Sequence, residues 1–290
     1  MRDKNIEKIQ NLLNDQKIIK TKLISSSFGI NCLKIKTSSE KNFIVKLYKN
    51  KKNKFNSIKA EAKNLIFLNK KKLNIFPKLI NHDDAILIME YIQNNEIKPK
   101  RINKHFLKTI TTIHKVQSDK YGFSFDTQIG GMKQKNKYEK NWMNFFRENR
   151  LYNIYNKICK TKPMPKQINK KIEILLNNLN NRIPAKPKSS LLHGDLWDGN
   201  ILFKNKKLVG LIDPGSFFGH SEMEVAYLTW FNPHYIGSNF VNNYSKFISI
   251  DKNYSSYEPI YQLYYSLMNV HLWDRIYIKD VNRLINKIKP

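Results

Sequence analysis

Three oxygen-bearing side chains lie close together in residues 190–219, which read SLLHGDLWDGNILFKNKKLVGLIDPGSFFG. Asn200 follows Asp195 by five positions, and Asp213 stands thirteen positions further on. Between them, NILF and LVGLID are short β-like runs joined by the polar turn KNKK, so we expect a hairpin that brings Asn200 and Asp213 together. Hard oxygen ligands suit Mg²⁺ when phosphate oxygens fill its other positions. We therefore predict that Asn200 and Asp213 bind Mg²⁺ and that Asp195 accepts the proton of a substrate hydroxyl.

This spacing matches the catalytic loop of protein kinases, in which Asp-x-x-x-x-Asn is followed by a metal-binding Asp-x-Gly. A single Asp or Asn in a glycine-containing turn is ordinary turn chemistry. The full string HGD-x-x-x-x-N, with DPG beginning thirteen positions after the Asn and β-like runs between them, is much more specific. It predicts transfer of the γ-phosphoryl group of ATP to a hydroxyl group.

A kinase site also needs a lysine on the third strand and a glutamate on the following helix. Lys46 lies in the β-like run FIVKLY, and Glu61 lies in KAEAKNL. An apolar strand that ends in a linker should offer backbone groups to a purine, and LIMEYIQ at residues 87–93 fits that need. The linker residues predicted to bind ATP are Met89, Glu90, Tyr91 and Ile92.

The loop that should cover the phosphates matches the kinase pattern least well. The segment between the first two β-like runs reads SSSFG at residues 25–29 and contains a single glycine. Small serine residues can still present backbone N–H groups to phosphate. Ser26, Ser27 and Gly29 are therefore predicted to contact ATP.

The elements that must position these residues are β-rich in the first part of the chain. Ile6, Ile9 and Leu12 follow helical spacing, so residues 1–20 are predicted to form a short amphipathic helix. Strands are predicted at 20–25, 31–37, 42–48, 77–81 and 85–91, a polar loop at 49–57 and a helix at 57–71.

The remainder of the chain is mainly helical. Helices are predicted at 101–116, 138–159 and 165–182 and after residue 221, with a loop at 121–137 and β-structure between 191 and 218. The pattern changes at QNNE, residues 93–96. We predict an α+β, two-lobed protein-kinase-like fold. A small antiparallel sheet forms an N-terminal nucleotide-binding lobe at 1–92, and a helical catalytic and substrate lobe spans 93–290.

The charge balance is strongly basic, with 52 Lys plus Arg against 23 Asp plus Glu and a formal net charge of +29. Neutralisation of phosphates by Lys and Arg drives sequence-independent binding to nucleic acid. However, only seven of the basic residues are Arg, the side chain suited to bidentate phosphate contacts, and the excess is spread along the chain. We expect a solvated lysine-rich surface that attracts anionic ligands, with no specific nucleic-acid partner.

Composition also limits the compartment and the partners. Two cysteines, Cys32 and Cys159, lie far apart without a CxxC spacing, which excludes a disulfide framework and a zinc ribbon. No run approaches eighteen apolar residues, and the first ten residues are charged rather than apolar. We expect a cytoplasmic protein without a membrane partner, and a monomer.

The segment LLHGDLWDGN, together with IDPGSFFG, resembles the fructosamine kinase (ketosamine-3-kinase) family, whose relatives are the aminoglycoside and choline phosphotransferases. The Trp after HGDL, here Trp197, is the narrower mark. YGFSFDTQIGG (121–131), NWMNFFRENRL (141–151) and YEPIYQLYYSLMNVHLW (257–273) also resemble family segments. The resemblance covers about residues 20–285. It implies a two-lobed kinase-like fold, ATP with Mg²⁺, and phosphorylation of a sugar hydroxyl on a ketosamine such as a glycated lysine.

The resemblance also implies roles for individual residues. Asp195 would be the catalytic base, and Asn200 and Asp213 would be the Mg²⁺ ligands. Lys46 would bind phosphate, with Glu61 as its partner.

The predicted substrate-binding residues are Trp197, Glu222 and Glu224. Trp197 would face the sugar, since an aromatic ring can stack on a sugar ring. The family commonly reads Asp-Arg-Glu and then Asp two residues later, whereas this chain has His220, Ser221, Glu222 and Glu224. The Arg is therefore absent and the Asp is replaced by Glu224, changes that bear on the identity of the substrate.

Three alternatives remain open. A kinase for an amino alcohol or aminoglycoside would use the same core, and Glu222, Glu224 and Asp198 could supply an acidic pocket for such a cation. A catalytically silent nucleotide-binding protein would explain the glycine-poor loop. A nucleic-acid-binding module would explain the charge. Gly194 stands where protein kinases carry an Arg that reads a phosphorylated activation loop, so we expect no such switch, and His193 is predicted to brace the catalytic loop.

Overall fold

The computed structural model describes residues 3–48, 55–231 and 233–288, so residues 49–54 of the predicted polar loop lie outside the described residues. The strands are β1 Ile18–Ser27, β2 Ile30–Thr37, β3 Asn42–Tyr48, β4 Leu79–His82, β5 Ile86–Glu90, β6 Thr127–Ile129, β7 Met132–Gln134, β8 Ser189–Leu192, β9 Ile201–Lys204, β10 Lys207–Leu211 and β11 Phe217–His220. The helices are α1 Asp3–Leu12, α2 Ser57–Lys70, α3 Lys104–His114, α4 Trp142–Phe146, α5 Asn153–Thr161, α6 Lys166–Asn177, α7 Ser221–Phe231, α8 Phe240–Ser245, α9 Tyr254–Leu272 and α10 Ile278–Lys287.

The chain forms two compact units, each assembled from three segments. Unit 1 comprises Met1–Lys98, Thr127–Lys133 and Gly199–Gly215. Unit 2 comprises Pro99–Asp126, Gln134–Asp198 and Ser216–Pro290. The end of the first segment at Lys98 lies close to the change of pattern at residues 93–96. Two later segments nevertheless fold with the N-terminal residues, so a single division at residue 92 does not describe which residues pack together.

Unit 1 is built on a five-stranded antiparallel sheet in the order β1-β2-β3-β5-β4. Successive side chains of a strand point to opposite faces of the sheet, so every second residue of these β-branched-rich strands lies on one buried face. On that face, Ile9 of helix α1 and Leu13, just after the helix, pack with the sheet residues Ile35, Val45 and Ile88, and all five are at most 3% exposed. Burial of this apolar surface stabilises the unit and fixes the register of β3, on which Lys46 lies.

Helix α2 begins at a defined cap. The Asn56 side chain accepts a hydrogen bond of 3.0 Å from the N–H of Lys59, which satisfies one of the amides left free at a helix start. Ile58, Ala62 and Leu65 recur at helical spacing and are fully buried. This orientation of the helix directs Glu61, which is 1% exposed, into the unit.

The β9–β10 hairpin belongs to unit 1 although it is distant in sequence from the five-stranded sheet. The amides of Asn95 and Glu96 donate to the carbonyl of Phe203, and the amide of Leu211 donates to the carbonyl of Ile75 at 2.9 Å. Backbone groups at the hairpin edge are therefore paired with the N-terminal part of the chain. The bonds to Phe203 hold the hairpin near its turn. The bond from Leu211 to Ile75 holds its open end, next to which Asn200 and Asp213 lie.

Unit 2 contains the remaining helices and the short β8–β11 ladder. Its core includes Trp142, which is fully buried and donates its indole N–H to the hydroxyl of Tyr261 at 2.8 Å. The guanidinium of Arg150, also buried, donates to the carbonyl of Lys135 and to Oδ1 of Asn136. Among the residues that the structure describes, no helix is both long and apolar enough to span a membrane.

The predicted elements agree with this structure in kind and differ at their ends. The five N-terminal strands, the helix at 57–71 and the helical character after 221 are confirmed. The first helix ends at Leu12 and not at residue 20, because Asn14 and Asp15 adopt positive φ values of 54° and 59° and the chain is extended from Ile18. The predicted loop at 121–137 contains β6 and β7, and the predicted helix at 138–159 is α4, a π-helical turn at Arg147–Tyr152 and α5. The predicted α+β fold class is confirmed.

Candidate active site

Lys46 is the centre of a buried ion cluster in unit 1. Its Nζ donates to Oε1 and Oε2 of Glu61 at 2.6 and 2.8 Å and to Oδ1 of Asp213 at 2.7 Å. Lys46 and Glu61 are 7% and 1% exposed, whereas the side chain of Asp213 is 40% exposed. The structure therefore brings together three residues that were predicted from separate parts of the sequence.

The charge of Lys46 follows from its surroundings. Burial alone would lower the pKa of its ammonium group, but the carboxylates of Asp213 and Glu61 raise that pKa well above its ordinary value. Lys46 is consequently charged at every physiological pH. The charged Lys46 is buried, and its partner Asp213 is partly exposed to solvent. A lysine in this position suits the binding of phosphate oxygens.

Asn200 lies just before β9 and Asp213 lies two residues after β10, at the open end of one hairpin. In the β9–β10 ladder, Ile201 pairs with Leu211, and just beyond that pair the N–H of Ile212 donates to the carbonyl of Asn200 at 3.0 Å. The predicted hairpin is therefore present. Asp213 has a φ of 54°, a left-handed conformation that Asp and Asn tolerate better than most residues and that is frequent at functional sites.

The chemistry of this donor pair fits a magnesium ion. Asn200 supplies an amide oxygen and Asp213 a carboxylate, and Mg²⁺ is usually bound by one or two such groups together with water and substrate phosphates. Within residues 3–48, 55–231 and 233–288, no group of three or more His, Cys, Asp and Glu side chains could hold a metal. A magnesium site built on this pair would take its other ligands from water and phosphate oxygens.

The predicted phosphate loop is a tight hairpin turn. Ser27 pairs with Ile30, which leaves Phe28 and Gly29 as a two-residue turn with φ values of 49° and 76°. Positive φ at both positions is typical of a type I′ turn. Ser26 and Ser27 thus lie at the end of β1 and not in a glycine-rich loop. A Cβ on Gly131 would lie 2.9 Å from Cβ of Phe28, so the β6–β7 turn packs closely against this hairpin.

The predicted linker begins inside the sheet. Met89 and Glu90 end β5, and Met89 is 3% exposed. Glu90 lies on the surface, where its amide donates to the carbonyl of Lys78 at 2.9 Å and its Oε2 accepts from the amide of Lys78 at 3.3 Å. The structure therefore fixes both residues through β4 and β5.

Tyr91 and Ile92 follow the strand and have different neighbours. Nζ of Lys34 lies 3.6 Å from the ring centroid of Tyr91, a cation–π contact. Ile92 packs on the β9–β10 hairpin so closely that a Cβ on Gly210 would lie 2.6 Å from its Cδ1. The linker is thus connected by packing to the hairpin that ends at Asn200 and Asp213.

A groove of about 550 Å³ also adjoins this linker. Its lining comes from the end of α1, the β2–β3 turn, β4 and the end of β5, and it includes Glu90 and Tyr91. Neither Lys46, Glu61 nor Asp213 lines it. The groove therefore lies outside the ion cluster, and of the residues predicted to bind ATP it shares only Glu90 and Tyr91.

In unit 2, the loop at residues 193–197 carries the predicted base. The amide of Asp195 donates to Nδ1 of His193 at 3.2 Å, and the amide of Trp197 donates to the carbonyl of Asp195 at 3.2 Å. His193 is fully buried and Asp195 is half-buried. His193 therefore braces the loop as predicted, and the turn that it stabilises sets the position of Asp195.

Glu222 and Glu224 lie inside unit 2, in the first turn of α7, at 2% and 1% exposure. Oε1 of Glu222 accepts from the amide of Asp251 at 2.7 Å, and its Oε2 accepts from the hydroxyl of Tyr257. Both oxygens of Glu224 accept hydrogen bonds from the backbone of the loop that carries Asp195. The structure thus gives both carboxylates partners within the protein, and their contact with substrate stays a prediction.

Trp197 and Asp198 remain at the surface of unit 2, where both are half-buried. The indole of Trp197 meets the ring of Phe231 edge to face, with centroids 5.8 Å apart. The hydroxyl of the fully buried Tyr235 donates to Oδ1 of Asp198 at 2.7 Å. An aromatic surface beside an oriented carboxylate suits a ligand that has both an apolar face and a positive charge.

Three buried tyrosines near Asp195 belong to α7 and α9. The rings of Tyr227 and Tyr265 are stacked with centroids 3.8 Å apart. Burial first, and the charge of Asp195 in addition, raises the pKa of Tyr227, Tyr264 and Tyr265. The phenols consequently stay protonated at neutral pH. Their placement depends on the packing of α7 against α9, which no local spacing in the sequence indicates.

Comparison with known proteins agrees with this geometry. The family model described as fructosamine kinase matches residues 1–290. A probable ketoamine kinase from Pasteurella multocida is 28% identical over 236 residues, which cover 79% of this chain and 80% of that protein. The chloroplastic protein-ribulosamine 3-kinase of Arabidopsis thaliana is 28% identical over 209 residues, which cover 70% of this chain and 61% of that protein.

The fold has a close structural counterpart as well. A solved structure of a candidate fructosamine-3-kinase from Thermobifida fusca superimposes with a TM-score of 0.86 at 19% sequence identity, and the match covers 98% of this chain and 97% of the other. At that identity the likeness concerns the fold alone.

Proposed function

Since this chain belongs to the fructosamine kinase family, we propose that it is an ATP- and Mg²⁺-dependent kinase for ketosamines. The acceptor is a sugar hydroxyl of a fructosamine- or ribulosamine-type glycated amine, either as a small molecule or attached to a protein. The observation that carries the proposal is the buried ammonium of Lys46, which binds both Glu61 and Asp213. Phosphoryl transfer in protein kinases depends on such a Lys–Glu ion pair together with an Asp that holds Mg²⁺.

In the proposed reaction, the acceptor hydroxyl oxygen forms a bond to the γ-phosphorus of ATP. The bond from that phosphorus to the bridging oxygen breaks, and ADP leaves with the electron pair. Asp195 takes the proton of the hydroxyl, a role that a half-buried carboxylate can perform. For phosphoryl transfer, the protein contributes mainly the positioning of the reactants and the stabilisation of charge.

The residues of unit 1 hold the phosphates in this proposal. Lys46 donates to phosphate oxygens, and Glu61 keeps the ammonium in place because its carboxylate contacts Nζ through both oxygens. Asn200 and Asp213 hold Mg²⁺, which when bound neutralises charge on the phosphates. Because Asp213 already contacts Lys46 at 2.7 Å, the nucleotide phosphates enter a site whose charged groups are pre-positioned.

The residues of unit 2 recognise the acceptor. Trp197 offers an aromatic face for the sugar ring. A ketosamine also carries a secondary amine that is protonated at neutral pH, and Asp198 offers a carboxylate oriented by Tyr235. A long-range attraction from the net charge of +29 favours anionic nucleotides and not this cationic group, so recognition of the amine requires a local carboxylate.

The decisive experiment supplies ATP and Mg²⁺ with fructosyl-lysine or ribulosyl-lysine and follows ADP release together with the ³¹P spectrum of the product. We expect a sugar phosphate with the wild-type chain and none above background with Asp195→Asn. Phosphorylation of other acceptors alone would contradict the proposal, as would ATP binding without transfer to any acceptor, which is the behaviour of a silent nucleotide-binding protein.

One observation favours a second candidate. The Asp198–Tyr235 pair would equally suit the ammonium group of choline, another amino alcohol or an aminoglycoside. A panel of these acceptors assayed beside the ketosamines separates the two candidates, because only their kcat/KM values rank the substrates. Retention of DNA or RNA at low salt, measured in parallel, checks the expectation of no specific nucleic-acid partner.

A further inference from the structure

The carboxylate of Glu224 holds the peptide groups next to Asp195. Its Oε2 accepts from the amide of His193 at 3.1 Å, and its Oε1 accepts from the amide of Gly194 at 2.8 Å. Gly194 has a φ of 87°, so the chain turns sharply there. Since the orientation of these two peptide planes sets the position of the next Cα atom, the Glu224 carboxylate fixes the base through the backbone.

A third donor reaches the same carboxylate from a different helix. Nε2 of His114, the last residue of α3, lies 2.9 Å from Oε2 of Glu224. The hydroxyl of Tyr244, on α8, lies 2.7 Å from Nδ1 of the same ring. An ionised carboxylate only accepts hydrogen bonds, so Nε2 of His114 carries a proton and donates it. In the neutral ring Nδ1 then accepts from the Tyr244 hydroxyl, which fixes the tautomer.

We propose that His114 is a positioning residue for phosphoryl transfer: it orients the Glu224 carboxylate, which in turn holds the backbone of the loop that carries Asp195. His114 is 1% exposed and lies on α3, which supplies no other residue to the reaction proposed above. The inference rests on the proposed function only through the role given to Asp195.

The electrostatics of the cluster support this assignment. Burial alone would raise the pKa of Glu224, but the hydrogen bond from His114 lowers it, assisted by His193 and by the Gly194 amide. Without His114, the fully buried carboxylate would lose its side-chain donor and would tend to take up a proton. A protonated carboxyl group presents fewer acceptor positions to the two amides, so the loop next to Asp195 would loosen.

The same unit contains a matched control. His220 is buried, its Nδ1 lies 3.0 Å from the hydroxyl of Tyr261, and its Nε2 lies 3.6 Å from Oε2 of Glu222. Glu222 accepts from Asp251 and Tyr257 and not from the catalytic loop. Replacement of either histidine empties a similar buried space, but only His114 acts on the amides next to Asp195.

The test compares His114→Ala, His114→Gln and His220→Ala by hydrogen–deuterium exchange and by steady-state kinetics with ATP and fructosyl-lysine. In His114→Ala we expect the amides of His193 and Gly194 to exchange about tenfold faster and kcat to fall about 10–100-fold, with KM for ATP within about twofold of wild type. His114→Gln, whose side-chain N–H can still reach Glu224, should recover most of both effects, and His220→Ala should show neither.

Unchanged exchange at His193 and Gly194 in His114→Ala would overturn the proposal, and so would equal changes in His220→Ala. The ¹⁵N spectrum of the wild-type histidines gives a measurement that needs no variant to fold: we expect a slowly exchanging proton on Nε2 of His114, and a ring protonated only at Nδ1 would also overturn it. Both the exchange and the ¹⁵N measurements are independent of turnover. If they hold while the wild type phosphorylates no ketosamine, the positioning role stands and the proposed function fails.

Discussion

Nζ of Lys46 and Oδ1 of Asp213 lie 2.7 Å apart although the two residues are 167 positions apart in the sequence. The contact exists because β3 and the β9–β10 hairpin both fold into unit 1. Two carboxylates and one ammonium group therefore meet in unit 1, so the cluster has one more acidic than basic group. Removal of the ammonium group should have measurable consequences.

The first prediction concerns the stability of this ion cluster. Lys46→Met should destabilise the protein by about 3–5 kcal/mol, because it leaves the buried carboxylate of Glu61 without its partner. The double variant Lys46→Met/Glu61→Leu should recover most of that loss, since an apolar pair can replace a buried ion pair at little cost. Urea unfolding of the two variants measures the difference, and equal losses in both would contradict it.

A second prediction separates chemistry from nucleotide binding. Asp195→Asn should lower kcat about 10²–10⁴-fold, because an amide cannot accept the hydroxyl proton. The dissociation constant for ATP should change less than about twofold, because Asp195 lies on a loop of unit 2 whereas Lys46 and Asp213 lie in unit 1. Turnover measurements check the fall in kcat, and calorimetric titration with ATP checks the dissociation constant. A parallel loss of ATP affinity would count against the role given to Asp195.

A third prediction follows from the close approach of Gly210 and Ile92. Gly210→Ala should cost about 1–3 kcal/mol, because the added Cβ would stand 2.6 Å from Cδ1 of Ile92. Ile92→Val removes that atom, so the double variant should lose less than the sum of the two single changes, by about 0.5–3 kcal/mol. Thermal or urea unfolding of the four proteins completes the cycle, and strict additivity would show that the contact relaxes without strain.

The fourth prediction is a dependence of stability on pH that arises from Glu224. The pKa of its carboxyl in the folded protein lies below the ordinary value of about 4.5, through His114 and, more weakly, His193 and the Gly194 amide acting against burial. A carboxyl group with a depressed folded-state pKa contributes stability that is fully present above about pH 4.5 and is lost as the pH falls through the folded value. Unfolding measured from pH 7 downwards should therefore show a smaller loss in Glu224→Gln than in the wild type. If the unfolding free energy of the two proteins fell equally steeply with falling pH, Glu224 would not be the source of this pH dependence.

The residues of the ion cluster and the pairing of Lys46 with Glu61 were predicted from the sequence, because these parts follow from local rules. Lys46 and Glu61 lie on a strand and a helix whose periodicities are clear, and the hairpin from Asn200 to Asp213 follows from two β-like runs and a polar turn. The spacing shared with the kinase catalytic loop assigned both Lys46 and Asp213 to one nucleotide site, but the direct contact between the two side chains was not predicted.

Other features depend on tertiary packing that no local pattern encodes. The segment Thr127–Lys133 was predicted as part of a loop, but it folds with unit 1, where Gly131 packs against the turn at Phe28. Glu222 and Glu224 are acidic residues near the catalytic motif, which favoured a role in substrate binding. Their burial results from the packing of α7 against β8 and α9, and the same packing hides the role of His114, which as a lone histidine on an amphipathic helix gave no signal.

The contact between Gly210 and Ile92 has an evolutionary consequence. The two positions share a space that holds one branched side chain and no second one, so the volume available to one residue is set by the other. A relative that carries a side chain larger than hydrogen at the position of Gly210 should carry a smaller residue at the position of Ile92. Substitutions at these two positions are thus expected to be correlated among relatives. The pair joins β10, which carries Gly210, to the linker that carries Ile92.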